Sequence, residues 1–274
     1  MNESINRVAD KHKLSEQVDI YDLYERSVQN VEHEIDFIRL TYEKVRGKTA
    51  YLCREDFCGT ANSSCEWIKQ GEAFQAIGVD YDKSVLKWSE ENRFKKLSKS
   101  QRQRLTILQE DVMKVKAPVT DILTAFNFSY FVFTTRRNLK DYFKRSLVAL
   151  KTDGIFFLDI FGGPEAHQKL EERTEHDEFT YIWSQSEFHP LTNFIRCKIS
   201  FEFPDKSSIN NAFTYDWRLW TAPEIKELLI EAGFRKVTFF WEGEDEEGEG
   251  NGEFSPNNQG EADLAWIAYI VAEK

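Results

Sequence analysis

Residues 51–64 read YLCREDFCGTANSS: a short apolar strand runs into two acidic residues and then into a turn of small residues that opens a helix. Gly59 and Ala61 keep that turn slim, so a ligand can approach its backbone closely. The free N–H groups at the start of the following helix favour a carboxylate or other anion. A plain structural turn between strand and helix has the same appearance, so the stretch takes its meaning from its surroundings.

Those surroundings alternate. Residues 49–54, 75–80, 105–110, 121–126 and 155–160 are expected as strands. Residues 61–69, 83–97 and 137–150 are expected as helices, with Asp82 as the cap of the second and Gly154 just beyond the third. Strands separated by helix-length segments imply parallel β-α-β units in a doubly wound sheet, whose ligand crevice lies beyond the carboxyl ends of the strands. Upstream, residues 18–45 carry apolar side chains at near-helical spacing and read as one or two helices. After Gly162-Gly163-Pro164, residues 179–186, 193–203 and 211–220 are aromatic, β-branched and punctuated by turn formers, as in a small antiparallel insertion. Thr221-Ala222-Pro223-Glu224 opens a helix with a capping box, and residues 237–241 and 264–271 close the sheet as a pair of strands. Residues 242–260, acidic and rich in Gly and Asn, are expected to form a mobile loop.

A chain of 274 residues, 41% hydrophobic, suffices for one sizeable core, so one embellished domain is expected. The first residues, MNESINRVADKHK, lead into no apolar run, and nothing later reaches membrane-spanning length, which predicts no secretory signal and no membrane partner. Four cysteines, Cys53, Cys58, Cys65 and Cys197, fit reduced thiols and a cytoplasmic location. The net charge of −11 argues against nucleic acid as the main partner, although six of those charges lie within residues 242–249. The basic stretches at 93–99 and 136–145 read as solvated helix faces.

Chemistry-bearing residues recur at successive strand ends. Asp80, followed by Tyr81, stands where doubly wound folds hold ribose hydroxyls, and the neighbouring Asp82 is the better helix cap. Gln109-Glu110-Asp111-Val112 ends the third strand and Phe126-Asn127-Phe128-Ser129-Tyr130 the fourth.

In this order and spacing the chain resembles the class I S-adenosylmethionine-dependent methyltransferases of small-molecule type, from about Tyr21 to the carboxyl terminus. The segment from Glu55 to Ala61 is similar to that family's first motif, Gly78-Val-Asp-Tyr-Asp to the second, Glu110-Asp-Val to the third and Ala125-Phe-Asn to the fourth. Phe57 and Ala61 replace the first and third glycines usual there, and Asp56 offers a second acidic residue beside Glu55. The resemblance implies a Rossmann-like methyltransferase fold: a doubly wound, mostly parallel sheet of seven strands, with N-terminal helices and the antiparallel insertion. Residues 1–46 would be a helical cap, 47–163 the cofactor-binding core, 164–220 a lid, and 221–274 the closing helix and strands. It implies S-adenosyl-L-methionine as cofactor, with Glu55, Gly59 and Ala61 at its methionine part, Asp80 and Tyr81 at the ribose, Asp111 and Val112 at the adenine, and Tyr21 folded over it. Asn127 would lie beside the reacting centre, and Asn127, Tyr130 and Arg218 are the acceptor-side candidates. The acceptor would be a small molecule.

Methyl transfer from a sulfonium is an in-line displacement that chiefly needs alignment and exclusion of water. A general base serves only an acceptor that must lose a proton, and His167, His176 and His189 are candidates, though each also reads as a solvent-facing side chain. Tyr181, Trp183, Arg196, Tyr215, Trp217 and Arg218 would line the lid, or else form the buried face of its sheet. The cysteine spacing argues against structural zinc, and the acidic run lacks the spacing of a calcium loop. Two other functions remain open at this level: a non-catalytic cofactor-binding relative, and a nicotinamide-dependent oxidoreductase, for which the G-x-G-x-x-G turn is missing.

Overall fold

The apolar runs become strands and the amphipathic stretches between them helices in a computed structural model that describes residues 13–245, 247 and 250–274. The reading of residues 1–12 as carrying no signal, and that of part of the acidic run, fall outside the described residues. Among those described, no helix is long and apolar enough to cross a membrane.

Two helices, α1 (Ile20–Val28) and α2 (Val31–Arg46), come first. Asp19 starts α1 by accepting the N–H groups of Tyr21 and Asp22, and Gly47 ends α2 in the left-handed conformation. The wound core follows as β1 (Leu52–Asp56), α3 (Asn62–Lys69), β2 (Gln75–Asp80), α4 (Lys83–Asn92), α5 (Lys99–Gln103), β3 (Leu105–Gln109), β4 (Thr120–Ala125), α6 (Arg136–Ala149) and β5 (Leu150–Gly162). The insertion is a four-stranded antiparallel sheet of β6 (Leu170–Glu175), β7 (Thr180–His189), β8 (Phe194–Glu202) and β9 (Ser208–Arg218). The exposed β6, sequence LEERTE, has no apolar alternation to announce it. The chain closes with α7 (Ala222–Ala232), β10 (Lys236–Glu244), β11 (Gly250–Asn257) and β12 (Trp266–Glu273).

The main sheet runs in the order β11-β10-β12-β5-β4-β1-β2-β3, parallel from β5 to β3 and antiparallel in the three pairings beyond it. It therefore has eight strands, not seven, because the segment expected as the loop 242–260 supplies part of β10 and all of the edge strand β11. Phe254 anchors that strand, its ring 4.6 Å from Tyr269 and 6.2 Å from Phe37. Polar neighbours mask one aromatic anchor in the sequence, and Pro256 is tolerated on an edge. Alternate strand residues feed two cores. Ile77, Leu123 and Phe156 pack with Phe143 of α6 and Leu228 of α7 on one face. Ala76, Ile122 and Phe157 pack with Ile38 of α2 and Trp67 of α3 on the other. Chain order reverses between β1 and β4, which opens the crevice beside the end of β1.

Candidate functional site

The turn after β1 keeps a glycine backbone without the glycines. Phe57, Gly59 and Ala61 all lie in the left-handed region, at φ 58, 50 and 55°. A side chain there costs roughly 1–2 kcal/mol per residue, so the surroundings must hold the conformation. They do: the Phe57 ring packs edge-on to Tyr142 at 5.7 Å, Ala61 is fully buried, and Ala61 N–H donates to the Cys58 carbonyl at 2.7 Å. Cys58 N–H donates to Val79 at 3.0 Å, tying the turn to β2. A Cβ placed on Gly59 would meet nothing within 4 Å, so open space adjoins the turn. The Thr60 hydroxyl beside it is buried with no partner among the described residues.

Alternation along β1 sends its two carboxylates opposite ways. Asp56 enters the core, where Oδ1 receives Arg54 at 2.7 Å and Oδ2 the Tyr142 hydroxyl at 3.0 Å. Glu55 takes the crevice side. Its Oε2 accepts the backbone N–H and hydroxyl of Ser64 at 2.9 and 2.5 Å, capping α3 from the strand. Burial pushes the Glu55 carboxyl up to about 7, against the opposing pull of Ser64. Asp80 ends β2 and joins two loops, since Oδ2 accepts Gly59 N–H at 2.8 Å and Oδ1 accepts Asp82 N–H at 2.9 Å. Asp82 caps α4 through Ser84 N–H at 2.8 Å. Asp111 turns the chain after β3 by accepting Met113 N–H at 2.8 Å, and Val112 is buried beneath it.

Helix α1 spans this crevice. On the core side Tyr21 lies 5.2 Å from Trp88 of α4, Asp19 accepts the Trp88 indole N–H, and Glu25 pairs with Arg93. On the insertion side Tyr24 meets Phe213 at 5.0 Å, while Arg26 pairs with Glu178 at 2.9 Å. Tyr81, by contrast, is 72% exposed.

A cavity of about 570 Å³ opens where the sheet end, α1, α2 and the insertion meet. Its aromatic wall includes Tyr24, Tyr181, Trp183, Tyr215 and Trp217, and Trp266 and Tyr269 of β12 face them. Trp266 lies across bare backbone, since a Cβ on Gly162 would stand 2.3 Å from its ring. The carboxylates Glu34, Asp159, Glu165, Glu172 and Glu242 also line it, and among the described residues no Lys, Arg or His does. At its floor Asn127 and Phe128, left-handed at φ 55 and 54°, aim their N–H groups at the Asp159 carboxylate at 2.6 and 2.9 Å. Burial, outweighing those bonds, raises Asp159 to about 7.

Of the three acceptor-side candidates, Asn127 alone lines this cavity. Tyr130 is wholly buried and donates its hydroxyl to the Asp159 carbonyl at 2.8 Å, so it is a strut beneath the floor. Arg218 lies over the Trp220 ring at 3.8 Å and pairs with Glu224 at 2.8 Å outside the cavity, and Arg196 is likewise held outside by Asp216 and Glu187. His167, His176 and His189 sit against Phe188, Phe179 and Phe194, away from the lining. The four cysteines are buried and free, their thiols pushed up by burial. Among the described residues no group of His, Cys, Asp and Glu is placed to hold a metal ion.

No family profile matches the sequence, and no curated protein does. Solved structures do. An S-adenosylmethionine-dependent methyltransferase from Clostridium acetobutylicum superposes with a TM-score of 0.69 at 17% identity, covering 93% of this chain and 97% of its own. CalS10, an amino pentose methyltransferase from Micromonospora echinaspora solved with its S-adenosylmethionine, gives 0.65 at 12%, over 94% and 98%. DesVI from Streptomyces venezuelae gives 0.65 at 15%, over 93% and 98%. The chain has the Rossmann-like methyltransferase fold. In that fold the reversal between β1 and β4 sets the turn, Asp80 and Asn127 around one crevice. Sequence reading missed Glu34 and Asp159, although each carried a signal. Glu34 interrupts the apolar stripe of Val31, Ile35 and Ile38 on α2, and Asp159 is a lone carboxylate in the run IFFLDIF.

Proposed function

We propose that the protein transfers the methyl group of S-adenosyl-L-methionine to a small molecule seated in the aromatic cavity. The observation that carries this reading is the turn after β1. Its backbone keeps three left-handed positions, open space at Gly59 and a link to Asp80, although two of the expected glycines are gone. Selection for a cofactor cradle explains strain that a plain connection has no need of. The unpartnered Thr60 hydroxyl is a further polar group offered to a ligand.

In this reading Glu55, Gly59 and Ala61 hold the methionine part, Asp80 and Tyr81 the ribose, and Asp111 with Val112 the adenine, under Tyr21. The bound cofactor supplies an electrophilic methyl group. The chain aligns the acceptor atom with it at the Asn127 floor and excludes water through α1 and the insertion. Asp159 fixes that floor by clamping the two N–H groups after β4. Four buried free thiols support a cytoplasmic location, and the acidic charge supports a role without nucleic acid.

Isothermal titration with S-adenosylhomocysteine tests the reading. Wild type is expected to bind with a dissociation constant on the order of micromolar, and Asp80→Ala to weaken that by about tenfold or more. No binding by the wild type would overturn it.

A further inference from the structure

We infer that the acceptor is an amine, its nitrogen placed at the Glu34 carboxylate and its carbon skeleton among the aromatic rings of the cavity. The inference rests on the methyl-transfer reading of the same site and names the class of its substrate.

The charge inventory comes first. Five carboxylates line the cavity and, among the described residues, no cationic side chain balances them there. A carboxylate, phosphate or sulfate acceptor would enter against like charge with no Arg or Lys to receive it. An ammonium group would enter with the field, and the faces of Tyr24, Trp183, Tyr215 and Trp217 attract a cation within about 6 Å.

Glu34 supplies the independent observation. It stands on α2, is only 7% exposed, lines the cavity, and its Oε2 has no hydrogen-bond partner among the described residues. A buried polar atom left unpaired is costly, and a charged one more so. The usual remedy in a core is a neighbouring donor, as Arg54 provides for Asp56. Among the described residues Glu34 Oε2 has no such donor, which fits a position whose donor arrives with the ligand. Burial raises Glu34 to about 8, and the nearby Asp159 and Glu55 carboxylates push the same way. Such a group takes a proton near neutral pH.

The chemistry balances without any further reagent. An entering cation favours the charged carboxylate, so Glu34 releases its proton to solvent as the ammonium arrives. The ammonium then gives one N–H proton to that carboxylate, leaving a neutral amine and a carboxylic acid. The nitrogen lone pair then forms the N–C bond to the methyl group as the C–S bond breaks, and the electron pair of that bond stays on sulfur. The product is the methylated ammonium with S-adenosylhomocysteine. A hydroxyl acceptor, carrying no charge, would gain nothing from the field of these carboxylates.

Isothermal titration with three probes of one size tests this: benzyltrimethylammonium, benzyl alcohol and benzoate, each with and without saturating S-adenosylhomocysteine. The cation is expected to bind at least about tenfold more tightly than the alcohol, and benzoate not at all at about 10 mM. Glu34→Gln should weaken the cation about tenfold while S-adenosylhomocysteine binds as in wild type, which also reports an intact fold. Equal or tighter binding of the alcohol or benzoate by the wild type would overturn the inference. So would no binding of the cation, or an unchanged cation affinity in folded Glu34→Gln. S-adenosylhomocysteine without affinity for the wild type would overturn the methyl-transfer reading, whereas its binding with a failed cation arm would overturn the amine alone.

Discussion

At the scale of single residues, Ala61 is the most informative position in the cofactor turn. Its left-handed backbone costs about 1–2 kcal/mol, yet glycine there would regain flexibility in the unfolded chain worth about 0.5–1 kcal/mol and lose a buried methyl worth about 0.8 kcal/mol. These contributions nearly cancel, so Ala61→Gly should leave the urea unfolding free energy within about 1 kcal/mol of wild type. Ala61→Val adds a branched side chain to a fully buried left-handed site. It should destabilise by about 2 kcal/mol or more and weaken S-adenosylhomocysteine in titration. The carboxylates at the strand ends were legible because each apolar run stops at one of them, as β2 stops at Asp80. The acceptor side was not. Glu34 in an apolar stripe and Asp159 inside an apolar strand look like imperfections of pattern until the fold turns both into one cavity, whereas Tyr130 and Arg218 lay at promising places in the sequence and pointed elsewhere.

At the scale of elements, two helices show how start signals succeed and fail. Thr221 and Glu224 form a reciprocal capping box at the start of α7, as the sequence announced. Thr221→Ala should cost about 1 kcal/mol in urea unfolding and leave S-adenosylhomocysteine affinity unchanged, since α7 packs on the face away from α2 and α3. Helix α3 has no cap of its own at Ala61, and Glu55 caps it from β1 instead. No local rule finds a cap supplied nine residues earlier by a strand. Glu55→Gln keeps the size of the side chain but weakens the acceptor for Ser64, so a loss of about 1 kcal/mol in stability is expected together with weaker cofactor binding. The eighth strand eluded sequence reading for a related reason: β11 is held by its partner strand and by Phe254, with little apolar pattern of its own.

At the scale of the whole molecule, the buried carboxyls set how stability depends on pH. Glu34 stands at about 8, and Glu55 and Asp159 at about 7, all raised by burial. The folded state therefore holds protons that the unfolded chain has already released. The resulting stability is fully present below the unfolded values near 4 and is lost as pH rises through 7 to 8. Unfolding free energies from urea titration should fall between pH 5.5 and 8.5 by an amount on the order of a few kcal/mol, and Glu34→Gln should flatten that slope. The alternating core and the late insertion were legible throughout because periodicity reports burial, but periodicity does not report which elements meet. That is why α1 gave no sign of lying against both α4 and the insertion. This nine-residue helix lends Tyr24 and Val28 to the cavity lining and holds Tyr21 against α4, so it stands as a wall between the core and the insertion. For the proposed transfer this would divide the cycle unequally: bond exchange would occur behind the seated helix, and departure would wait for it to lift. Rapid mixing with an accepted amine should show a burst of S-adenosylhomocysteine of about one equivalent, followed by a slower steady rate, and Tyr24→Ala should raise that later rate and erase the burst.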